Sequence, residues 1–180
     1  MIGHISSLVV MGVAGCGKSS VAQALATRIG GVLIEGDAFH PKANVDKMQR
    51  GIPLTDEDRA GWLDRLSEEL ERVASRGERA VLTCSALKQR YRNRLRKATA
   101  SLGFVFLDLP QTEALRRVAQ RESHFMPASL VESQFAALER PDVEPLTLTI
   151  DGTRPLVSIV GEATAWCGSA QAESGLLLSA

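Results

Sequence analysis

The chain is predicted to adopt a three-layer α/β fold, a parallel sheet with helices on both faces. Two features of the sequence point there. Short apolar runs at Leu8–Met11, Val32–Ile34, Ala80–Thr83, Phe104–Leu107 and Leu146–Ile150 lack strict polar alternation, as strands covered on both faces do. Segments of helical periodicity separate them, so the order is βαβα rather than strands followed by helices.

The first junction carries the most chemistry. Gly12, Val13, Ala14, Gly15, Cys16, Gly17, Lys18 and Ser19 fit the pattern G-x-x-x-x-G-K followed by Ser or Thr without a mismatch. A strand precedes them and the helical run Val21–Ala26 follows through Ser20, the context this motif requires. Glycines let backbone N–H groups turn inward around phosphate oxygens, and the helix N-terminus adds partial positive charge. Lys18 is placed to reach the β- and γ-phosphates, and the Ser19 hydroxyl to ligate Mg²⁺. Residues 12–20 are therefore the expected nucleotide-phosphate site. Cys16 sits inside this loop.

The remaining helices follow in order. Thr55 to about Arg76 is the clearest, with Thr55 as N-cap and Asp58 three residues on. Its Trp62, Leu63, Leu66, Leu70 and Val73 form one apolar stripe, and Gly77 follows. Lys88–Ala98 is basic on its exposed face. Thr112–Arg121, capped by Thr112, Ser129–Leu138 and Leu156–Trp166 complete the set. The phosphate-loop domain spans residues 1–168, and the small, polar start of residues 169–180 suggests a flexible tail.

Bulk properties exclude several roles. Lys plus Arg and Asp plus Glu are equal at 21 each, so no global basic field draws nucleic acid or a membrane. No apolar run approaches a membrane span, and no basic region followed by an apolar core marks an N-terminal leader. Cys16, Cys84 and Cys167 are odd in number and lack metal-ligand spacing, which fits a reduced, cytoplasmic protein.

A phosphate loop gives nucleotide binding but not the reaction. Further clusters narrow it. Glu35-Gly-Asp-Ala-Phe-His-Pro41 ends the second strand, where the ligand crevice of an open α/β sheet lies, so Asp37 is expected to face the γ-phosphate. Asn44 with Lys47-Met48, Gly51-Ile-Pro-Leu54 with Asp56, Asp58-Arg59 and Trp62-Leu63, Cys84-Ser-Ala-Leu-Lys88 with Tyr91-Arg92, and His124-Phe-Met-Pro127 with Gln134-Phe135 follow in order. On these motifs, across about residues 8–142, the sequence resembles the gluconate kinase family, small phosphate-loop sugar-acid kinases. The resemblance implies transfer of the ATP γ-phosphate to the 6-hydroxyl of D-gluconate. It also implies a five-stranded parallel sheet of the nucleoside-monophosphate-kinase type, a mobile lid near residues 121–130, and commonly a homodimer.

The residues suit that reaction, since phosphoryl transfer needs charge neutralisation and alignment more than covalent chemistry. Lys18 and Mg²⁺ supply charge. Three roles are open to Asp37: proton acceptor, orienter of the hydroxyl, or holder of a Mg²⁺-bound water. Arg59 is the first choice for the substrate carboxylate, because a guanidinium pairs it bidentately. His40, Ser85 and Lys88 are candidate contacts to the sugar acid. Arg117 and Arg121 share one helix face; in related kinases arginines here cover the adenine and the transferring phosphate. Two departures stand out. Asp108 follows Leu107 where many relatives have glycine, and no acidic residue follows Val81-Leu82-Thr83, where a second magnesium-side aspartate is usual. The rival readings are a kinase for shikimate or another sugar acid, and a non-catalytic nucleotide switch. For the latter, Asp58-Arg-Ala-Gly61 fits D-x-x-G but follows no predicted strand, and N-K-x-D is absent.

Overall fold

The structure, a computed structural model, describes residues 5–120 and 127–175. Its centre is a five-stranded, all-parallel sheet in the order β2-β3-β1-β4-β5. The strands are β1 (Ser7–Met11), β2 (Val32–Glu35), β3 (Ala80–Thr83), β4 (Leu102–Asp108) and β5 (Thr147–Asp151). Successive side chains on a strand point to opposite faces, and two cores result. Leu8, Val10, Val81, Val105 and Leu107 pack on one side with α1 (Lys18–Ile29) and α7 (Leu156–Gly175). Val9, Met11, Leu82, Phe104 and Phe106 pack on the other with α3 (Asp56–Ala74) and α4 (Gln89–Arg96). This explains the continuous apolar runs: neither face is wet.

The predicted stripe on α3 holds, with Trp62, Leu63, Leu66, Leu70 and Val73 all buried. So does its cap. The Asp58 amide donates to Thr55 Oγ1 at 3.2 Å and the Thr55 amide to Asp58 Oδ2 at 2.9 Å.

Four details differ from the sequence reading. A 3₁₀ turn (Gly36–Phe39) and a helix, α2 (Lys42–Gln49), occupy a stretch read only as motif and turn. The helix α5 (Gln111–Ala119) starts after Pro110, which takes the cap position expected of Thr112. The helix α6 spans Ala128–Ala137. The last helix passes Trp166 and runs to Gly175, so helix enters the segment read as tail.

The topology locates the site. From β1 the chain goes to β2 and β3 on one side, then crosses to β4 on the other. Ligands bind beyond the carboxyl ends of strands at such a switch point, and the phosphate loop follows β1 there.

Candidate active site

The phosphate loop is pinned between its neighbours. A Cβ on Gly12 would lie 2.8 Å from Cys16 Sγ and 2.9 Å from the Leu107 carbonyl. One on Gly15 would lie 3.1 Å from the Ala114 carbonyl, so β4 and α5 come as close as glycine permits. Gly17, in the left-handed region at φ 94°, starts α1. Lys18 Nζ donates to the Gly12 and Val13 carbonyls, both at 3.1 Å. The ammonium thus already bridges the loop at its phosphate side. Ser20 is exposed on the first turn of α1.

Ser19 Oγ donates to Glu35 Oε2 at 3.1 Å, and Thr83 Oγ1 donates to the same oxygen at 2.7 Å. The sequence reading missed Glu35. The acidic group absent from the end of β3 comes instead from the end of β2, its sheet neighbour, in register with Thr83. Ser19 and Glu35 present hard oxygen donors side by side, and Asp37 lines the same cavity as Ser19, a donor set that suits Mg²⁺; this ion takes few protein ligands and keeps waters and phosphate oxygens.

Asp37 lies on the 3₁₀ turn with its side chain 87 % exposed. Its position is set from behind. The Gly36 amide donates to Thr83 Oγ1 at 3.1 Å, and Trp62 Nε1 donates to the Gly36 carbonyl at 2.8 Å. A Cβ on Gly36 would sit 2.1 Å from the Thr83 carbonyl, so only glycine allows this approach of turn to strand. His40 stacks on Trp62, ring centroids 4.1 Å apart. Its Nε2 is 4.0 Å from Asp37 Oδ1. Burial pushes the imidazole down to about 4; Asp37 opposes the shift and Arg59 adds to it. His40 is neutral near pH 7. The buried Asn44, named from sequence only as a motif residue without a role, donates to the Asp58 carbonyl at 2.8 Å and lies 3.3 Å from His40 Nδ1. An amide nitrogen is a donor only, so Nδ1 accepts and Nε2 carries the proton toward Asp37.

Lys18, Ser19, Asp37, His40, Arg59 and Ser85 line one cavity of about 140 Å³. The Gly12 amide donates to the Ser85 carbonyl at 3.3 Å, tying loop to loop. Next to Ser85, Ala86 holds a positive φ of 46°. Its carbonyl accepts from Arg92 Nη1 at 2.7 Å, and the fully buried Arg92 also pairs with Glu144. This buried pair holds the loop in a conformation that alanine seldom adopts.

Lys88 lies outside that cavity. It lines an adjoining one of about 210 Å³ with Arg59 and Tyr91, and its Nζ lies 3.0 Å from Asp56 Oδ1. Arg117 Nε donates to Glu113 Oε1 at 2.7 Å, along α5. Hydrogen bonds from Arg116 and Arg117 hold the Glu113 carboxyl down to about 2. Arg121 and the predicted lid residues His124, Phe125 and Met126 lie outside the described residues.

A family model described as an AAA domain matches residues 8–141. The gluconokinase of Gluconobacter oxydans is 50% identical over 147 residues, covering 82% of this chain and 83% of that protein. The chain belongs to the gluconokinase family. The thermosensitive gluconokinase of Escherichia coli is 42% identical over 138 residues, covering 77% of this chain and 74% of the relative. The crystal structure of a gluconokinase from Sinorhizobium meliloti superposes with a TM-score of 0.86 at 45% identity, over 99% of both chains. Gluconokinase membership accounts for the order of motifs from the phosphate loop to Gln134-Phe135. The three-layer phosphate-loop kinase fold is the one expected. Among the described residues no helix is long and apolar enough to cross a membrane.

Proposed function

We propose that this chain is a gluconokinase, moving the ATP γ-phosphate to the 6-hydroxyl of D-gluconate. The observation that carries the reading is one cavity that joins a phosphate loop to Asp37, His40, Arg59 and Ser85. A hydrolase or a switch has no need of a cationic, hydroxyl-reading wall opposite its nucleotide. Family membership supplies the sugar acid.

The residues divide the work. Backbone amides of the phosphate loop other than those of Gly12, Ala14 and Cys16, which already donate within the protein, hold the phosphates with the Lys18 ammonium and take up charge as it redistributes. Ser19, with Glu35 and Asp37, would hold Mg²⁺, and that ion would supply positive charge at the phosphates. Arg59 pairs the gluconate carboxylate, and neutral His40 donates from Nε2 to a sugar oxygen. Ser85 offers a hydroxyl, and its carbonyl is spent on Gly12. Asp37 faces the acceptor hydroxyl and can orient it or take its proton. Lys88, paired with an Asp56 that Arg90 also pairs with, acts at the margin of the sugar site. Arg117 lies beside the loop at the nucleotide side. Arg121, with a lid at 121–130, completes the reading on the family resemblance alone. The same resemblance, with three unpaired thiols, underlies our reading of a cytoplasmic homodimer.

Asp37→Asn keeps shape and removes charge. Turnover with gluconate should fall far more than ATP affinity; unchanged turnover with weakened ATP binding would move Asp37 out of the reaction centre.

A further inference from the structure

Gln134, on α6, touches the phosphate loop directly: its Oε1 accepts from the Ala14 amide at 2.7 Å. It also lines both cavities, the one holding Lys18 and Asp37 and the one holding Lys88 and Tyr91. Arg59, from α3, is likewise common to the two. The cavities therefore adjoin, with Arg59 and Gln134 among the residues they share.

A carboxamide has its acceptor and its donors on opposite corners. Fixing Oε1 on Ala14 turns the NH₂ group away from the loop. That nitrogen has no hydrogen-bond partner among the described residues. From this geometry we infer that Gln134 determines acceptor specificity: its NH₂ donates to an oxygen of the sugar acid while its carbonyl remains on the phosphate loop. One side chain then bonds the nucleotide loop and the second substrate together. A polyhydroxy acid offers the acceptors this needs, and a site with placed donors rejects a ligand that lacks the matching oxygen. The inference rests on the sugar-acid kinase reading above.

Two variants separate the corners of the amide. Gln134→Glu keeps an acceptor for Ala14 but has no NH₂. Gln134→Met keeps the length and has neither. Steady-state kinetics should show the gluconate KM raised about tenfold or more in both, the usual scale for a lost hydrogen bond in a polar site. In Gln134→Met, the Kd of ATP without sugar should rise by less than the gluconate KM does. Amide exchange at Ala14, read by NMR, should speed up in Gln134→Met and stay protected in Gln134→Glu. An unchanged KM in both variants overturns the inference. So does an equal loss of ATP and gluconate affinity in Gln134→Met, which would mark a collapsed loop. If the wild-type chain leaves gluconate untouched, the substrate reading fails instead. The KM comparison is then made on the acid that a panel of acceptors shows it does phosphorylate, with the same two outcomes deciding.

Discussion

Ser19 Oγ and Glu35 Oε2 lie 3.1 Å apart, joined by a hydrogen bond between the phosphate loop and the end of β2. The acid beside the Ser19 hydroxyl thus comes from β2, not from β3, whose last residue is Thr83. Thr83 donates to the same carboxylate oxygen and keeps it in place.

Glu35→Gln should therefore weaken divalent-ion binding more than nucleotide binding. Removing one carboxylate near a hydrated ion should raise the Mn²⁺ dissociation constant, with ADP present, by about tenfold, the order of one charged hydrogen bond. Electron paramagnetic resonance of free Mn²⁺ reads this directly. An unchanged Mn²⁺ titration would leave Ser19 and Asp37 as the metal-side residues.

Gly36→Ala tests the close approach of turn and strand. Its Cβ would meet the Thr83 carbonyl at 2.1 Å, and backbone cannot yield as a side-chain tip can. The cost should be about 2–4 kcal/mol of unfolding free energy, with a drop in turnover because Asp37 is the next residue. Urea melts and kinetics on one preparation check both.

Arg59→Lys should raise the gluconate KM, since an ammonium cannot make the two parallel bonds of a guanidinium. The expected loss is about 1–3 kcal/mol, with ATP affinity little changed. Gluconate kinetics untouched by this change would place the carboxylate elsewhere, with Lys88 the next cation to test.

The buried His40 gives a pH signature. Its folded value, about 4, lies below the 6.5 of an unstrained imidazole. The unfolded chain therefore binds the extra proton. The contribution is whole above pH 6.5 and is lost as pH falls through 4, amounting to about 3 kcal/mol. His40→Gln should flatten the decline of stability between pH 7 and 4.5. Parallel curves for wild type and variant would contradict the burial argument.

Much of this was legible in the sequence because it is local. The octet from Gly12 to Ser19, the Thr55–Asp58 box and the apolar stripe on α3 are fixed by neighbours a few residues away. What stayed hidden depends on distant partners. The helix α2 has a single buried residue, Asn44, hence no apolar period to read. Asn44 bonds to Asp58, and Lys47 Nζ reaches Asp58 Oδ1 at 2.7 Å. Glu35 looks like an ordinary strand end until β2 is laid beside β3. Gln134 is one polar residue on a helix until that helix is packed against the phosphate loop. Lys88 shows the converse: its motif marks it for the site, but Asp56, from another helix, draws it into an ion pair outside the Lys18 cavity.

The reaction itself tests the central claim most directly. Purified protein with ATP, MgCl₂ and D-gluconate can be followed by phosphorus NMR, beside shikimate and other sugar acids as acceptors. The account predicts equimolar ADP and 6-phospho-D-gluconate, the fastest turnover with D-gluconate, and a loss of orders of magnitude in folded Lys18→Ala. ADP release without a phosphomonoester, faster turnover of another acceptor, or near-normal turnover in Lys18→Ala would contradict it.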